Sequence, residues 1–335
     1  MRAAGSRATL AKVAQSAGVS VATVSKVVNG RSDVSPSTRA RVQDLLKEHD
    51  YEPRRAESSG GAAIEIFFGG RLGSYSTEVL QGVLDCAAEL DVDVVVTTRT
   101  KPDRSGAWAR RIAASGRRAA IGVSSEFMVM ELNLLSRARV PLVVIDPLNA
   151  PQAQLTSVGS TNFAGGMAAT QHLLDLGHRR IGYVGGPVAA ACNQARMAGY
   201  RGALEAHGVD VPRDYVRTGQ FHWEDGVAGA EHLLSLPTPP TAVFAGSDEV
   251  ALGVIEAART RGLRVPDDLS VVGFDDVQVA GLGSPPLTTV RQPLSEMGSV
   301  ALRTALRLAA GERPESHHVE LATQLVVRQS AVALR

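Results

Sequence analysis

Apolar and polar positions recur with a helical period at the start of the chain. Leu10, Val13, Ala14 and Ala17 fall at i, i+3, i+4 and i+7, one apolar face of a short helix. Gly18 ends it, because glycine accepts the left-handed conformation of a tight turn. Ser20 is placed to cap a second helix, from Val21 to about Asn29. There Val24, Val27 and Val28 face inward, and Ala22, Ser25, Lys26 and Asn29 line the other face. A third helix has Ser35 as cap, Pro36 at its first position, and Val42, Leu45 and Leu46 inward.

Residues 54–63, RRAESSGGAA, read as a polar linker rich in Gly and Ser. Beyond it the pattern changes to short apolar runs. These are Ile64–Phe68, Val92–Val96, Ala119–Val123, Leu142–Ile145, Ile181–Val184, Ala242–Phe244 and Leu269–Phe274. Helical stretches lie between most of them, and several end at a glycine: Leu176-Gly177, His207-Gly208 and Arg261-Gly262. Strands alternating with helices predict an α/β body of parallel, doubly wound sheets. Continuously apolar strands predict sheets covered on both faces. So many units exceed one mononucleotide-type sheet, and the break near Thr156–Ser160 predicts two similar lobes in tandem.

Composition is ordinary for a soluble protein, 44% hydrophobic and 21% charged over 335 residues. Charge is unevenly spread. Residues 1–60 hold ten Lys/Arg against six Asp/Glu, a net of +4, and the remainder holds 25 against 28, a net of −3. A basic end on a mildly acidic body fits phosphate contact at that end. MRAAGSRATLAKV has no apolar core of a signal peptide, and no apolar run reaches a membrane span of about 18 residues. The expected location is cytoplasmic, away from the membrane. Cys86 and Cys192 fit no C-x-x-C pattern and read as buried free thiols. No metal spacing is present beyond a weak His317-His318 pair, and neither metal nor cofactor is expected. Gly69-Gly70-Arg71-Leu72-Gly73 and Gly182-x-x-Gly185-Gly186 lack Rossmann or Walker spacing, and no nucleophile–base pair stands out, so no enzyme is expected.

Two short helices joined by a glycine turn make a helix-turn-helix signature. Small, hydrogen-bonding and cationic residues on the second helix suit base edges and phosphates, although the spacing alone also fits a small helical bundle. The segment resembles the DNA-binding head of the lactose-repressor (LacI-type) family of bacterial transcription regulators. The resemblance rests on Thr9-Leu10, Val13-Ala14, Ala17-Gly18-Val19-Ser20, Thr23-Val24-Ser25, Val27-Val28-Asn29 and Val34-Ser35, closed by Tyr51 and Pro53. The body resembles the same family through Asn162-Phe163-Ala164-Gly165-Gly166, Leu176-Gly177-His178, Gly185-Gly186-Pro187, Val271–Asp276 and Pro286-Leu287-Thr288-Thr289. It implies a periplasmic-binding-protein-like pair of lobes crossed three times by the chain, the last time near Val290–Gln292.

Ligands of open α/β sheets bind beyond the carboxyl ends of the strands. Here those ends carry Ser124 and Ser125, Asp146, Ser247 and Asp248, and Asp275. Three carboxylates facing one cleft suit bidentate hydrogen bonds to vicinal hydroxyls. The resemblance implies an effector pocket using Arg196 and Asp275, an aromatic at Phe221, the Ser247-Asp248 pair and Tyr75. The ligand set is therefore Tyr75, Ser125, Asp146, Arg196, Phe221, Asp248 and Asp275. Taken singly, Asp248 fits a helix cap, Phe221 a core position and Asp276 a structural carboxylate. The DNA set is Thr9, Ser20, Val21, Ala22, Thr23, Ser25, Lys26, Asn29 and Arg31, with Arg54 and Arg55 on the linker.

The chain departs from the family pattern in two places. Lys26 stands where the family usually has Arg, and lysine cannot make the planar fork to guanine. The linker Glu57-Ser58-Ser59-Gly60-Gly61 lacks the Leu of the family's hinge helix, and its helix propensity is poor, so a flexible tether is expected. No leucine heptad precedes Leu334-Arg335, so no tetramer bundle is expected. The expected organisation is a DNA-binding head at 1–53, a linker at 54–62 and a ligand-binding body at 63–335. Lobe 1 spans about 63–158 and 291–320, and lobe 2 about 159–290 and 321–332. The expected function is a homodimeric repressor on double-stranded, pseudo-palindromic operator DNA, controlled by a small sugar-like effector. The alternatives are a transport-type sugar-binding protein and a repressor with a purine-like effector.

Overall fold

The computed structural model describes residues 10–28, 34–48, 63–70, 72–99, 105–148 and 155–334. The chain divides into two compact units, residues 1–60 and 61–335.

The first unit contains α1 (Leu10–Ala17), α2 (Val21–Val28) and α3 (Pro36–Glu48). Gly18 takes φ +63°, and the Val19 amide turns back to the Ala14 carbonyl at 3.1 Å, closing α1. Ser20 Oγ accepts from the Thr23 amide at 3.1 Å, and Ser35 Oγ accepts from the Thr38 amide at 3.3 Å. Each cap satisfies a donor that the first turn leaves without a partner, worth about 1 kcal/mol. Val13, Ala14, Ala17, Val24, Val27 and Val42 form the buried centre.

The second unit begins with β1 (Ile64–Phe68), α4 (Ser74–Glu89), β2 (Val94–Thr98), α5 (Ala107–Ala114), β3 (Ala119–Val123), α6 (Val129–Arg137), β4 (Leu142–Ile145) and β5 (Thr156–Ser160). It continues with α7 (Asn162–Asp175), β6 (Ile181–Gly185), α8 (Ala191–Ala206), β7 (Val216–Thr218), α9 (Trp223–Leu234), β8 (Ala242–Ala245) and α10 (Asp248–Thr260). Then come β9 (Ser270–Asp275), α11 (Gln278–Leu282), β10 (Thr288–Arg291), α12 (Leu294–Ala309), β11 (His318–Leu321) and β12 (Gln324–Val326). Two six-stranded sheets result, ordered β11-β5-β4-β3-β1-β2 and β12-β10-β9-β8-β6-β7. Every pairing is parallel except β10 with β12.

Successive strand residues point to opposite faces, so each sheet builds two cores. In the first lobe Ile64, Ile66 and Phe68 pack against α4 and α12, while Phe67 packs with Trp108, Ile112 and Phe127 on the other side. In the second, Tyr183 and Phe244 meet α7 and α8, while Val184 and Val243 meet α9 and α10. Glycines let α7 and α8 approach closely. A Cβ on Gly166 would collide with the Arg196 carbonyl, and one on Gly199 with the Phe163 carbonyl. This close approach fixes the helix that carries Arg196.

The chain crosses between lobes at Ser160–Asn162, Arg291–Leu294 and Leu321–Gln324. The stretch near Val290–Gln292 is thus the second crossing, not the last. The reason is that the C-terminal segment returns to the second sheet as β12, antiparallel to β10. The crossings are tied together: Thr161 Oγ1 lies 2.9 Å from Thr323 Oγ1 and accepts from the Thr323 amide at 3.0 Å. His317 and His318 turn their rings to Thr156 and Ser157 of β5, at 3.4 and 2.9 Å. Among the described residues, no helix is long and apolar enough to cross a membrane.

Candidate functional site

In the head, the turn and the two caps leave α2 with one buried and one open face. Val24 and Val27 are buried, while Val21 is 47% exposed and Ser20 and Lys26 are exposed. Thr23 is half-buried, and its hydroxyl lies 2.9 Å from that of Ser20. Of the expected DNA set, Ala22 and Ser25 are on α2, but their side chains are outside what is described. Thr9, Asn29, Arg31, Arg54, Arg55 and the linker 54–62 lie outside the described residues.

In the body, the strand ends hold unusual backbone conformations. Ser124 after β3 has φ +45°, Asp146 after β4 has +44°, and Asp275 and Asp276 at the end of β9 have +115° and +58°. Phe221 before α9 has +68°. Such conformations cost of order 1–3 kcal/mol each for residues with a Cβ, and persist where the surroundings over-determine them. Here they turn several candidate side chains toward one region between the lobes. That the lobes meet there is seen in the Ala191 amide of α8, which donates to the Leu148 carbonyl at 3.2 Å.

Arg196 is the centre of this region and is only 3% exposed. Its Nε donates to Asn162 Oδ1 at 2.8 Å, and its Nη1 donates to the Gly246 carbonyl at 2.6 Å and to Asp275 Oδ1 at 3.5 Å. The guanidinium lies 3.8 Å from the Phe274 ring centroid and 5.6 Å from that of Phe221. Burial opposes its charge, but Asp275, Cys192 and Asp146 outweigh burial and hold it cationic. Asp275 Oδ1 also accepts from Gln292 Nε2 at 2.6 Å. Burial pushes the Asp275 carboxyl up to about 7, against the opposing pull of Arg196 and Gln292.

The other lobe contributes Tyr75 and Asp146. The Tyr75 hydroxyl donates to Asp146 Oδ2 at 2.5 Å. Burial raises the Asp146 carboxyl, against this hydrogen bond and the Arg196 charge. Tyr75 is raised well above the usual phenol value, first by burial and then by Asp146, with Cys192 and Asp275 of the facing lobe adding to it. Cys192 is pushed up to about 11 by burial, so it stands here as a neutral thiol.

The structure thus brings together Tyr75, Asp146, Arg196, Phe221 and Asp275. Asp248 is set behind them. Its Oδ1 accepts from Thr289 Oγ1 at 2.5 Å and its Oδ2 from the Val277 amide at 2.9 Å, while Ser247 caps α10 through the Val250 amide at 3.2 Å. Asp248 therefore props Asp275 rather than capping its helix. Ser125 is buried, with its hydroxyl donating to the Val123 carbonyl at 2.9 Å. Asp276 is paired at 2.6 Å with both Arg291 and Arg328. Gly185 and Gly186 are accounted for within the chain: a Cβ on either would collide with Asn193 and Tyr183 or with Phe221.

Sequence reasoning missed Asn162 and Gln292. Both directly follow a strand at a crossing, which is the one signal they carry. Gln292 Oε1 accepts from Ser160 Oγ at 2.5 Å, and Asn162 Nδ2 donates to the Ser160 carbonyl at 3.0 Å. A hydrogen-bonded ring runs Ser160, Gln292, Asp275, Arg196, Asn162 and back to Ser160. An open recess of about 340 Å³ beside the second crossing reaches Asp275 and is walled by Glu78, Gln278 and Arg291.

Comparison with known proteins bears on both units. Residues 9–54 match the family model of bacterial regulatory proteins, lacI family, and residues 170–331 match that of a periplasmic binding protein-like domain. The HTH-type transcriptional regulator CelR of Thermobifida fusca is 35% identical over 349 aligned positions, covering 97% of this chain and 98% of that protein. A solved transcriptional regulator CelR–cellobiose complex superposes with a TM-score of 0.75 at 33% identity, over 97% of this chain and all of the other. The lac repressor dimer bound to operator and the anti-inducer ONPF also gives 0.75, at 27% identity, over 98% of this chain and all of the other.

Proposed function

The chain belongs to the lacI family of bacterial regulatory proteins, which are DNA-binding transcription regulators, and from that premise we propose that it is a homodimeric repressor relieved by a sugar-like effector. The observation that carries the effector reading is the Arg196–Asp275 pair, buried at the strand ends of one lobe and faced by Tyr75 and Asp146 of the other. Acceptors and a cation fixed beside an aromatic ring match the hydroxyls and apolar face of a sugar. The cellobiose complex of a 33% identical relative supports the same class.

The dimer reading draws on the lac repressor, solved as a dimer on its operator. Exposed apolar side chains are available for a second copy, among them Leu282, 75% exposed, and Trp223, 44% exposed. Two copies related by a twofold axis read a pseudo-palindromic site with two heads. A ligand binding one lobe arrangement more tightly shifts the lobes toward it and so changes how the heads are presented. We place this activity in the cytoplasm and assign no catalytic step to it.

A gel shift with DNA upstream of the protein's own gene tests the reading. The expected result is a retarded complex of one dimer per site that a sugar from a mono- and disaccharide panel dissolves. A complex unaffected by every sugar that binds the protein would refute effector control. Binding to random DNA with equal affinity would refute operator recognition.

A further inference from the structure

If the cleft between the lobes is the effector site, as proposed above, the hydrogen-bonding positions left open there define what it holds. Asp275 Oδ1 is engaged by Gln292 and Arg196, and Asp275 Oδ2 has no partner among the described residues. Asp146 Oδ2 is engaged by Tyr75, and Asp146 Oδ1 has none among them. Arg196 spends Nε and Nη1 on Asn162, Gly246 and Asp275, which leaves Nη2. The open set is thus two acceptors, one from each lobe, and one donor. A ligand must give at least two hydrogen bonds and take one.

Vicinal hydroxyls meet that demand. One donates to Asp275 Oδ2 while its neighbour accepts from Arg196 Nη2, and a third hydroxyl donates to Asp146. A phosphate ester does not meet it, since an ionised phosphate only accepts. Charge acts in the same direction. Arg196 is the single cation among the groups that act on Asp146 and Asp275. Asp146 and Asp275 act on one another, with Glu249 adding its charge at Asp275 and Glu320 adding its own at Asp146. The guanidinium is held by its three partners and by stacking on Phe274, so it is not free to swing toward an anion. Its fork, which elsewhere serves phosphate in bidentate fashion, is already committed.

We infer that the effector is an uncharged, unphosphorylated polyol ring, held through vicinal hydroxyls between Asp275 and Arg196 with a further hydroxyl on Asp146, and that the cleft rejects sugar phosphates. Phosphorylation of the sugar would then end the signal.

The test pairs free sugars with their phosphate esters on the full-length chain. Cellobiose, glucose, ribose and fructose are titrated calorimetrically beside glucose 6-phosphate, ribose 5-phosphate and fructose 6-phosphate, with hypoxanthine as an aromatic control. The expected result is that at least one free sugar binds, that esters bind at least tenfold more weakly than their parent sugars, and that Asp146→Asn narrows this gap. Asparagine keeps an acceptor for Tyr75 and tolerates φ near +44°, so the variant retains the site's shape. An ester binding as tightly as its parent sugar overturns the inference while leaving the cleft reading intact, provided Asp275→Asn weakens it. A sugar whose affinity ignores both Asp146→Asn and Asp275→Asn binds elsewhere and overturns the cleft reading itself. Binding of hypoxanthine alone, or of nothing at millimolar concentration, overturns the polyol assignment.

Discussion

Ser160 and Gln292 stand on different chain crossings and share a buried hydrogen bond of 2.5 Å, hydroxyl to amide oxygen. The other end of the same amide donates to Asp275 at 2.6 Å. One side chain therefore links two hinge segments to the carboxylate most central to the cleft. Ser160→Ala is expected to leave the Gln292 oxygen buried and unpartnered, at a cost of about 1–3 kcal/mol. Sugar affinity should change little, because Ser160 lies behind Asp275, while the sugar-induced loss of operator affinity should shrink. Chemical denaturation gives the first quantity and gel shifts with and without sugar give the others. An unaltered sugar response in Ser160→Ala would mean that this bond is only structural.

Asp275 also sets a pH dependence. Its carboxyl in the fold is pushed up to about 7, first by burial, and is ordinarily ionised well below that. The protonated form is the one the fold favours. Its stabilising contribution is thus full below about pH 4 and is lost as pH rises through 7. Asp146 and Asp248 are raised too, so they add to the same trend. The unfolding midpoint of the ligand-free protein should fall between pH 5 and 8, by an amount on the order of a few kcal/mol in stability. In Asp275→Asn the fall should be shallower. Parallel melting profiles for parent and variant across that range would contradict this origin.

The head and most of the sheet strands were legible because each carries a local signal. Serine caps, a glycine turn and a valine face mark the three helices, and continuous apolar runs mark β1, β3, β4, β6, β8 and β9. The run read as Val92–Val96 forms β2 two residues later, because Val92 belongs to the turn: its amide bonds the Ala87 carbonyl, with Asp91 at φ +52°. The strands at the crossings were illegible. TSVGS, TTVR, HVEL and QLV are short and partly polar, and become strands through their sheet neighbours. The same cause hid Gln292 and Asn162, neutral amides with no charge pattern to betray them. Asp248 looked like its neighbours at other strand ends. Only Thr289, 41 residues away, reveals that its oxygens are taken.

Phe221 depends on the absence of a side chain opposite it. A Cβ on Gly186 would collide with several atoms of the Phe221 ring. Gly186→Ala should push the ring out of its place beside Arg196 and weaken sugar binding by about tenfold or more, with an overpacking cost of about 1–3 kcal/mol. Operator binding without sugar should be preserved, since the head is a separate unit. Calorimetric titration of the variant with the sugar that binds the parent decides the matter. Undiminished affinity would show that the Phe221 ring takes no part in the site.

Lys26 offers the sharpest test of the DNA-reading face. It lies exposed in the last turn of α2, on the helix side away from Val24 and Val27. An ammonium delivers a point charge, whereas a guanidinium makes a planar fork to guanine. Lys26→Ala should weaken operator binding by about 1–3 kcal/mol if the amine meets a base edge. If it meets a phosphate, the loss should be uniform across sequences and the salt slope shallower by about 1. Lys26→Arg separates the two contacts further. At a base edge, arginine should shift the preferred operator sequence toward guanine at one step of each half-site; at a phosphate it should leave the preference unchanged. Gel shifts over a salt series, with a randomised operator position, read both effects. Should Lys26→Ala match the parent at every salt concentration, α2 is not the element that touches DNA.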